Sequence, residues 1–357
     1  MKNNKLFLLL FLFIILMLTG CGYAGPEKAV KQELALIQQL DESTIKNFIS
    51  YEDILLSNTP LTETGPDAAE AVKLFFKNFR YKIKNSSVSS DGSSAEVVVT
   101  LKNLDARLLA RDLCLEMIKD SVSGSDNTSS PSSFTLMKEC LESNTYPIIE
   151  TQATFHLRKQ DELWLISESA ELEDELVGGL VSYLNNPYLL TPEEVLDATL
   201  APTKTFDAAN WLDYLELDDI FNTGSTLAAE IDQALAQKIA DNYRYEILGS
   251  TQDGDTAYVE LKLTSLDLTH VMNNCRKELL NYAQTTASIR ATDEELAEST
   301  ASILLKNLQA CESSTENTIT VNLVNNGYTW EVHISDIFAD ALLGGIGTAL
   351  ETLTVSK

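Results

Sequence analysis

The chain has 357 residues, with 26 Lys plus Arg against 53 Asp plus Glu and a formal net charge of −27. Apolar residues make up 44%, enough for packed cores and too many for a disordered chain, and the length suggests two domains. The acid excess argues against a nucleic-acid partner, since phosphate backbones are held by clustered Lys and Arg, and 3 His leave little material for a His-rich metal site.

The N-terminus has its own pattern. Lys2 and Lys5 lead into an unbroken apolar run of 13 residues, Leu6 to Leu18. As a helix that run spans about 20 Å, short of the roughly 30 Å hydrocarbon core, so it predicts the apolar region of a signal peptide and not a spanning anchor. Leu18-Thr19-Gly20-Cys21 follows. Positive residues, apolar run and Leu-x-Gly-Cys in this order resemble the lipobox of bacterial lipoproteins. The resemblance implies that residues 1–20 are a signal peptide that is removed. It implies that the Cys21 thiol receives a diacylglycerol, that residues 21–25 form a short tether, and that the protein is held at the extracytoplasmic face of the cell membrane. Two or more acyl chains anchor stably, at about 0.8 kcal/mol per buried methylene. Removal of Lys2 and Lys5 makes the mature chain more acidic still, so its surface is expected to be repelled by anionic head groups and the lipid alone to hold it.

From Pro26 onward the chain repeats itself. Pro26-Glu27 matches Pro192-Glu193, and Phe79-Arg80-Tyr81-Lys82-Ile83 matches Tyr243-Arg244-Tyr245-Glu246-Ile247. Thr154, Leu157 and Trp164 match Thr320, Leu323 and Trp330; Leu176, Gly178-Gly179 and Leu184 match Leu342, Gly344-Gly345 and Leu350. The matches are collinear and the period is too long for a solenoid. A duplicated domain is predicted over residues 26–186 and 187–357, divided near the turn formers Asn185-Asn186-Pro187.

Each half reads in the same order. A helical region comes first (27–56 and 192–221), then a second helix (67–79 and 226–242). A hairpin follows, in which Val97, Val99 and Leu101, or Val259, Leu261 and Leu263, alternate with outward residues. Next is a helix, whose second copy places Leu268, Val271, Met272, Cys275, Leu279 and Tyr282 on one face. A shorter helix around Leu304, Leu308 and Cys311 precedes a second hairpin, turned by Asn325-Asn326-Gly327. A closing helix carries Leu172, Leu176, Leu180 and Leu184, matched by Phe338, Leu342, Ile346 and Leu350. Hairpins and helices without strand–helix alternation predict an α+β class: two homologous tandem domains, each an antiparallel sheet of two hairpins packed with helices. Helices ahead of a curved antiparallel sheet resemble the cystatin-like and nuclear-transport-factor-like superfamily, whose domains occur in tandem in envelope lipoproteins of unknown function.

Beyond Cys21 there are four cysteines, Cys114, Cys140, Cys275 and Cys311, two per half on matching elements. An exported chain meets an oxidising space. Three pairings are formally open, and the duplication favours Cys114–Cys140 and Cys275–Cys311, each joining two helices and contributing about 2–4 kcal/mol. The spacing does not suit zinc.

Few residues suggest chemistry. His156, His270 and His333 share no motif and read as surface residues. Gly178-Gly179 and Gly344-Gly345 lie inside an apolar helical pattern, so they read as close packing of a helix backbone and not as a phosphate loop. Glu171-Glu173-Asp174-Glu175 and Asp293-Glu294-Glu295 lack the alternating spacing of a calcium loop. Trp164 and Trp330 read as core. Arg80 and Arg244, each between aromatics, should project from the outer sheet face, either in a structural ion pair with Asp105 or Asp267 or as a ligand-binding face. No catalytic residue, metal or cofactor is predicted. The reading is a lipid-anchored, non-catalytic binding or interaction module of the cell envelope. Its expected partners are the membrane, through the N-terminal lipid, and an envelope protein, peptide or small apolar ligand. The alternatives are a solute-binding lipoprotein of a transporter and a carboxylate-dependent envelope hydrolase.

Overall fold

The computed structural model describes residues 25–40, 66–122, 132–218, 220–347 and 349. The expected signal peptide, Cys21 and the part of the predicted first helix beyond residue 40 lie outside the described residues. The chain divides into two compact units: the first takes residues up to Ala110 and Ser132–Tyr183, the second Arg111–Pro131 and everything from Leu184.

In the first unit, α1 (Pro26–Gln39) begins with a proline, whose missing N–H has no helical partner to lose at that position. It buries Val30, Leu34 and Ile37, one helical stripe. α2 (Pro66–Phe76) buries Ala71, Val72, Phe75 and Phe76. Four antiparallel strands follow one another in space as in sequence: β1 (Arg80–Val88), β2 (Ser94–Leu104), β3 (Ile148–Gln160) and β4 (Leu163–Ile166). Between β2 and β3 run α3 (Ala106–Val122), whose residues from Arg111 belong to the second unit, and α4 (Ser133–Ser143). Period-2 alternation turns Val97, Val99 and Leu101 of β2 inward beside Phe155, Ala153 and Thr151 of β3. α1 lies against this sheet at β1, β2 and β4. β4 covers only the end of β3, and α5 (Ala170–Leu176) packs against that strand, where a Glu175 carboxylate oxygen accepts from Thr154 N–H at 2.8 Å. α6 (Leu180–Leu184) follows.

The second unit runs in the same order. α7 (Pro192–Leu200), α8 (Ala208–Tyr214) and α9 (Ala228–Asn242) precede β5 (Arg244–Asp253) and β6 (Thr256–Leu266). α10 (Leu268–Ala283), the short α11 (Thr286–Arg290) and α12 (Asp293–Ala310) lead to β7 (Ser314–Asn325) and β8 (Trp330–His333), and α13 (Asp336–Leu342) follows. The sheet order is again β5-β6-β7-β8. Even an irregularity recurs: pairing shifts by one residue between Ile83 and Asn85 in β1 and between Ile247 and Gly249 in β5. The α+β class with two four-stranded antiparallel sheets packed by helices is thus present.

Three helical expectations differ from the structure. The predicted helix over 192–221 breaks after α7. Pro202 lies in a 3-10 turn, and Asp207 caps a new start by accepting from Asn210 N–H at 2.9 Å. The segment expected to be a shorter helix is the 18-residue α12. Its polar first turn escapes apolar periodicity but carries a reciprocal cap between Thr292 and Glu295. The closing helices do not run through the paired glycines. Gly178 and Gly344 both sit at φ +70°, which ends a right-handed helix. Gly179 N–H reaches back to Asp174 O and Gly345 N–H to Asp340 O, each at 2.8 Å, the six-residue closure of a helix C-terminus.

Candidate functional site

β1 is an edge strand, and α1 runs beside it. Between them lies an open groove of about 610 Å³, lined by Glu27 and Lys31 of α1 and by Tyr81, Lys82, Ile83, Lys84, Asn85 and Ser86 of β1. The Tyr81 hydroxyl donates to Lys31 O at 3.3 Å and ties helix to strand. Alternation leaves Tyr81 and Ile83 half-buried and Arg80, Lys82 and Lys84 exposed. Register completes the pattern: Arg80 stands opposite Lys102 of β2, and Lys102 opposite Glu150 of β3. Lys102 Nζ lies 2.7 Å from Glu150 Oε1. That bond holds the Glu150 carboxyl below its usual range, with added pull from Lys84 and Lys82. One exposed sheet face of the first unit therefore gathers Arg80, Lys82, Lys84 and Lys102, with Lys31 beside it.

The matching face of the second unit has another character. Glu246 and Leu248 stand where the first unit has Lys82 and Lys84, and Thr264, not a lysine, faces Arg244. Lys262 is engaged with Glu246 at 2.9 Å. Tyr245 donates to Asp197 Oδ1 at 2.8 Å, and Lys204 Nζ sits 4.2 Å from its ring centre. Burial, then the Asp197 contact, push the Tyr245 hydroxyl far up. The expected ion pairs of Arg80 with Asp105 and Arg244 with Asp267 are not formed. Each guanidinium donates to the carbonyl of the preceding residue, Phe79 or Tyr243. Asp105 and Asp267 instead accept backbone N–H groups at the starts of α3 and α10.

The cysteines also depart from expectation. The structure draws no bridge from Cys114 to Cys140 or from Cys275 to Cys311. Cys275 Sγ lies 4.0 Å from Ile303 O, at the middle of α12, whereas Cys311 follows the end of that helix and turns its sulfur to Ser313 O at 3.6 Å. Matching positions in sequence do not supply the short approach that a disulfide requires. Cys114 falls in the second unit, against its apolar core, and Cys140 in the first. Burial pushes the Cys114 and Cys275 thiols up to about 11, which makes them poor nucleophiles. His156, His270 and His333 are exposed. Trp330 is buried, and Trp164 is half-buried on the inner face.

Sequence reading missed an acidic group in the first unit. Glu33 of α1 is raised from the usual carboxylate range, first by burial and then by the charge of Glu168; Glu173 of α5 is raised for the same two reasons in the same order. Such a group binds more protons folded than unfolded, so it costs stability as pH rises from the ordinary carboxylate range through its raised value. Glu33→Gln is expected to leave the melting temperature unchanged in acid and to raise it at neutral pH. Thermal melts of both proteins across that range check this, and an equal shift at every pH would contradict it. Among the described residues no group of three or more His, Cys, Asp or Glu is placed to hold a metal ion, and no helix is long and apolar enough to cross a membrane.

Residues 226–346 match a family described as a domain of unknown function, DUF5105. The match falls within the second unit and covers about a third of the chain. No curated protein matches. Among solved structures the chain is similar to one titled a putative lipoprotein (ycdA) from Bacillus subtilis, at 13% identity, covering 75% of this chain and 96% of that one. The TM-score is 0.27, too low to equate the two folds.

Proposed function

We propose that this chain is a lipid-anchored protein of the extracytoplasmic membrane face, and that it acts as a non-catalytic interaction module through the basic groove and sheet face of its first unit. The observation that carries the reading is the gathering of Arg80, Lys82, Lys84 and Lys102 on one face of a chain whose net charge is −27. Random placement on so acidic a surface would leave cations dispersed among carboxylates, whereas here four share a face with Glu150 as the carboxylate bonded to one of them. The tether rests on Leu18-Thr19-Gly20-Cys21 behind its apolar run. The helices ahead of each antiparallel sheet support a cystatin-like description of the two domains, residues 26–186 and 187–357.

Metabolic labelling with palmitate tests the anchor. The wild-type protein is expected to carry label and Cys21→Ser to carry none; an unlabelled wild-type product with Cys21 intact would overturn it. A second reading, a carboxylate-dependent hydrolase, draws on Glu33, whose raised pKa suits a general acid. It requires a hydrolytic activity that Glu33→Gln abolishes without loss of fold.

A further inference from the structure

We propose that the basic face of the first unit, Lys31, Arg80, Lys82, Lys84 and Lys102, lies directly against an anionic phospholipid surface. This deepens the reading above and rests on it for the position of the bilayer.

Three observations carry the inference. The first is reach. Glu27 already lines the groove, and Gly22, Tyr23, Ala24, Gly25 and Pro26 are all that separate it from Cys21. Extended chain covers at most about 3.5 Å per residue, so the groove lies within roughly 20 Å of the predicted lipid attachment. The second is charge. Lys31, Arg80, Lys82, Lys84 and Lys102 stand there with Glu27, 4.0 Å from Lys31, and Glu150, bonded to Lys102, which leaves Arg80, Lys82 and Lys84 in excess. The −27 of the whole chain led to an expectation of repulsion by anionic head groups; this face departs from it, because charges more than about 8 Å away are largely screened at physiological salt. The third is the contrast between repeats. Lysines and a bulge on an edge strand often serve only to block strand pairing. β5 is an edge strand with the same bulge, yet it carries Glu246 and Leu248 where β1 carries Lys82 and Lys84. Lys102 lies on the inner strand β2, where no edge needs guarding. Edge protection therefore does not account for these lysines. The bulge at Lys84 also breaks the regular register that an added peptide strand would need, which favours a charged surface over a peptide as occupant.

The test uses the mature chain, residues 21–357, with Cys21→Ser, so that no lipid contributes. It is sedimented with phosphatidylcholine vesicles that contain or lack phosphatidylglycerol. Binding to the anionic vesicles alone, lost in high salt, is expected. The triple variant Lys82→Gln, Lys84→Gln, Lys102→Gln should weaken partitioning about 100-fold, since each surface cation is worth about fivefold. The matching triple Lys→Arg variant should retain it, as should Lys262→Gln in the second unit. Circular dichroism confirms that each variant is folded. Several results would overturn the proposal: equal binding to neutral vesicles, no binding to anionic ones, an unaffected Gln triple, or an equal loss in Lys262→Gln. So would an acidic peptide that binds the Lys face while vesicles do not. Loss of palmitate labelling at Cys21 would remove the anchor and leave this vesicle result standing, so the two readings fail separately.

Discussion

Gly344→Ala is expected to lower the unfolding free energy by about 2–5 kcal/mol, the sum of a left-handed backbone penalty of about 1–2 and an overpacking cost of about 1–3. Gly344 sits at φ +70°, and a Cβ built there would stand 2.1 Å from Leu266 O, a backbone atom at the end of β6. That carbonyl has little room to retreat. The fully buried Ser265 hydroxyl beside it donates to Leu342 O and pins the end of α13 to β6. The first unit supplies its own control. Gly178 has the same φ, but a Cβ there meets only Ala106 Cβ, at an ordinary 3.5 Å. Gly178→Ala should cost only the backbone penalty, about 1–2 kcal/mol. Denaturant unfolding followed by far-UV circular dichroism compares the two, and equal losses would show that the Leu266 contact relaxes cheaply.

The second large effect is expected at Trp211. This ring is 1% exposed and is the largest fully buried side chain among the described residues. It meets Tyr243, Phe206 and Tyr214 edge-on, with centroids 4.9, 5.4 and 5.8 Å away. Tyr243 is itself buried, its hydroxyl pushed up to about 12 chiefly by desolvation, and it accepts from Thr203 Oγ1 at 3.0 Å. Trp211→Ala should cost about 3–5 kcal/mol, because the emptied volume is walled by stiff rings and a capped helix that cannot collapse into it. Trp211→Phe separates volume from polarity. The indole N–H has no hydrogen-bond partner among the described residues, so phenylalanine removes an unsatisfied donor while it keeps most ring contacts. It should recover most of the lost stability. A Phe variant as damaged as the Ala variant would mean that the N–H is satisfied after all.

The contrast between Arg80 and Arg244 shows how far the sequence could be read. Their alternation with Phe79, Tyr81, Tyr243 and Tyr245 is local, and it places both guanidinium groups outward, as found. The same segment shows Lys82 and Lys84 in step with Arg80. Lys102 joins them only through strand pairing, and Glu33 comes under the influence of Glu168 only because α1 packs near the segment after β4. These are long-range juxtapositions with no period or spacing to announce them.

By itself the sequence determined the α+β class, the tandem pair of sheets and the inward faces of β2 and α10, because helix and strand periods are written within a few residues of each position. It also determined the acidity, and it carries the Leu18-Thr19-Gly20-Cys21 motif that resembles a lipobox. Only the tertiary structure decided that the glycine pairs end helices, where Cys275 and Cys311 point their sulfurs, and that one sheet face is basic while its twin is not. Strand register and helix contacts set those distances, and they arise when the whole chain is packed.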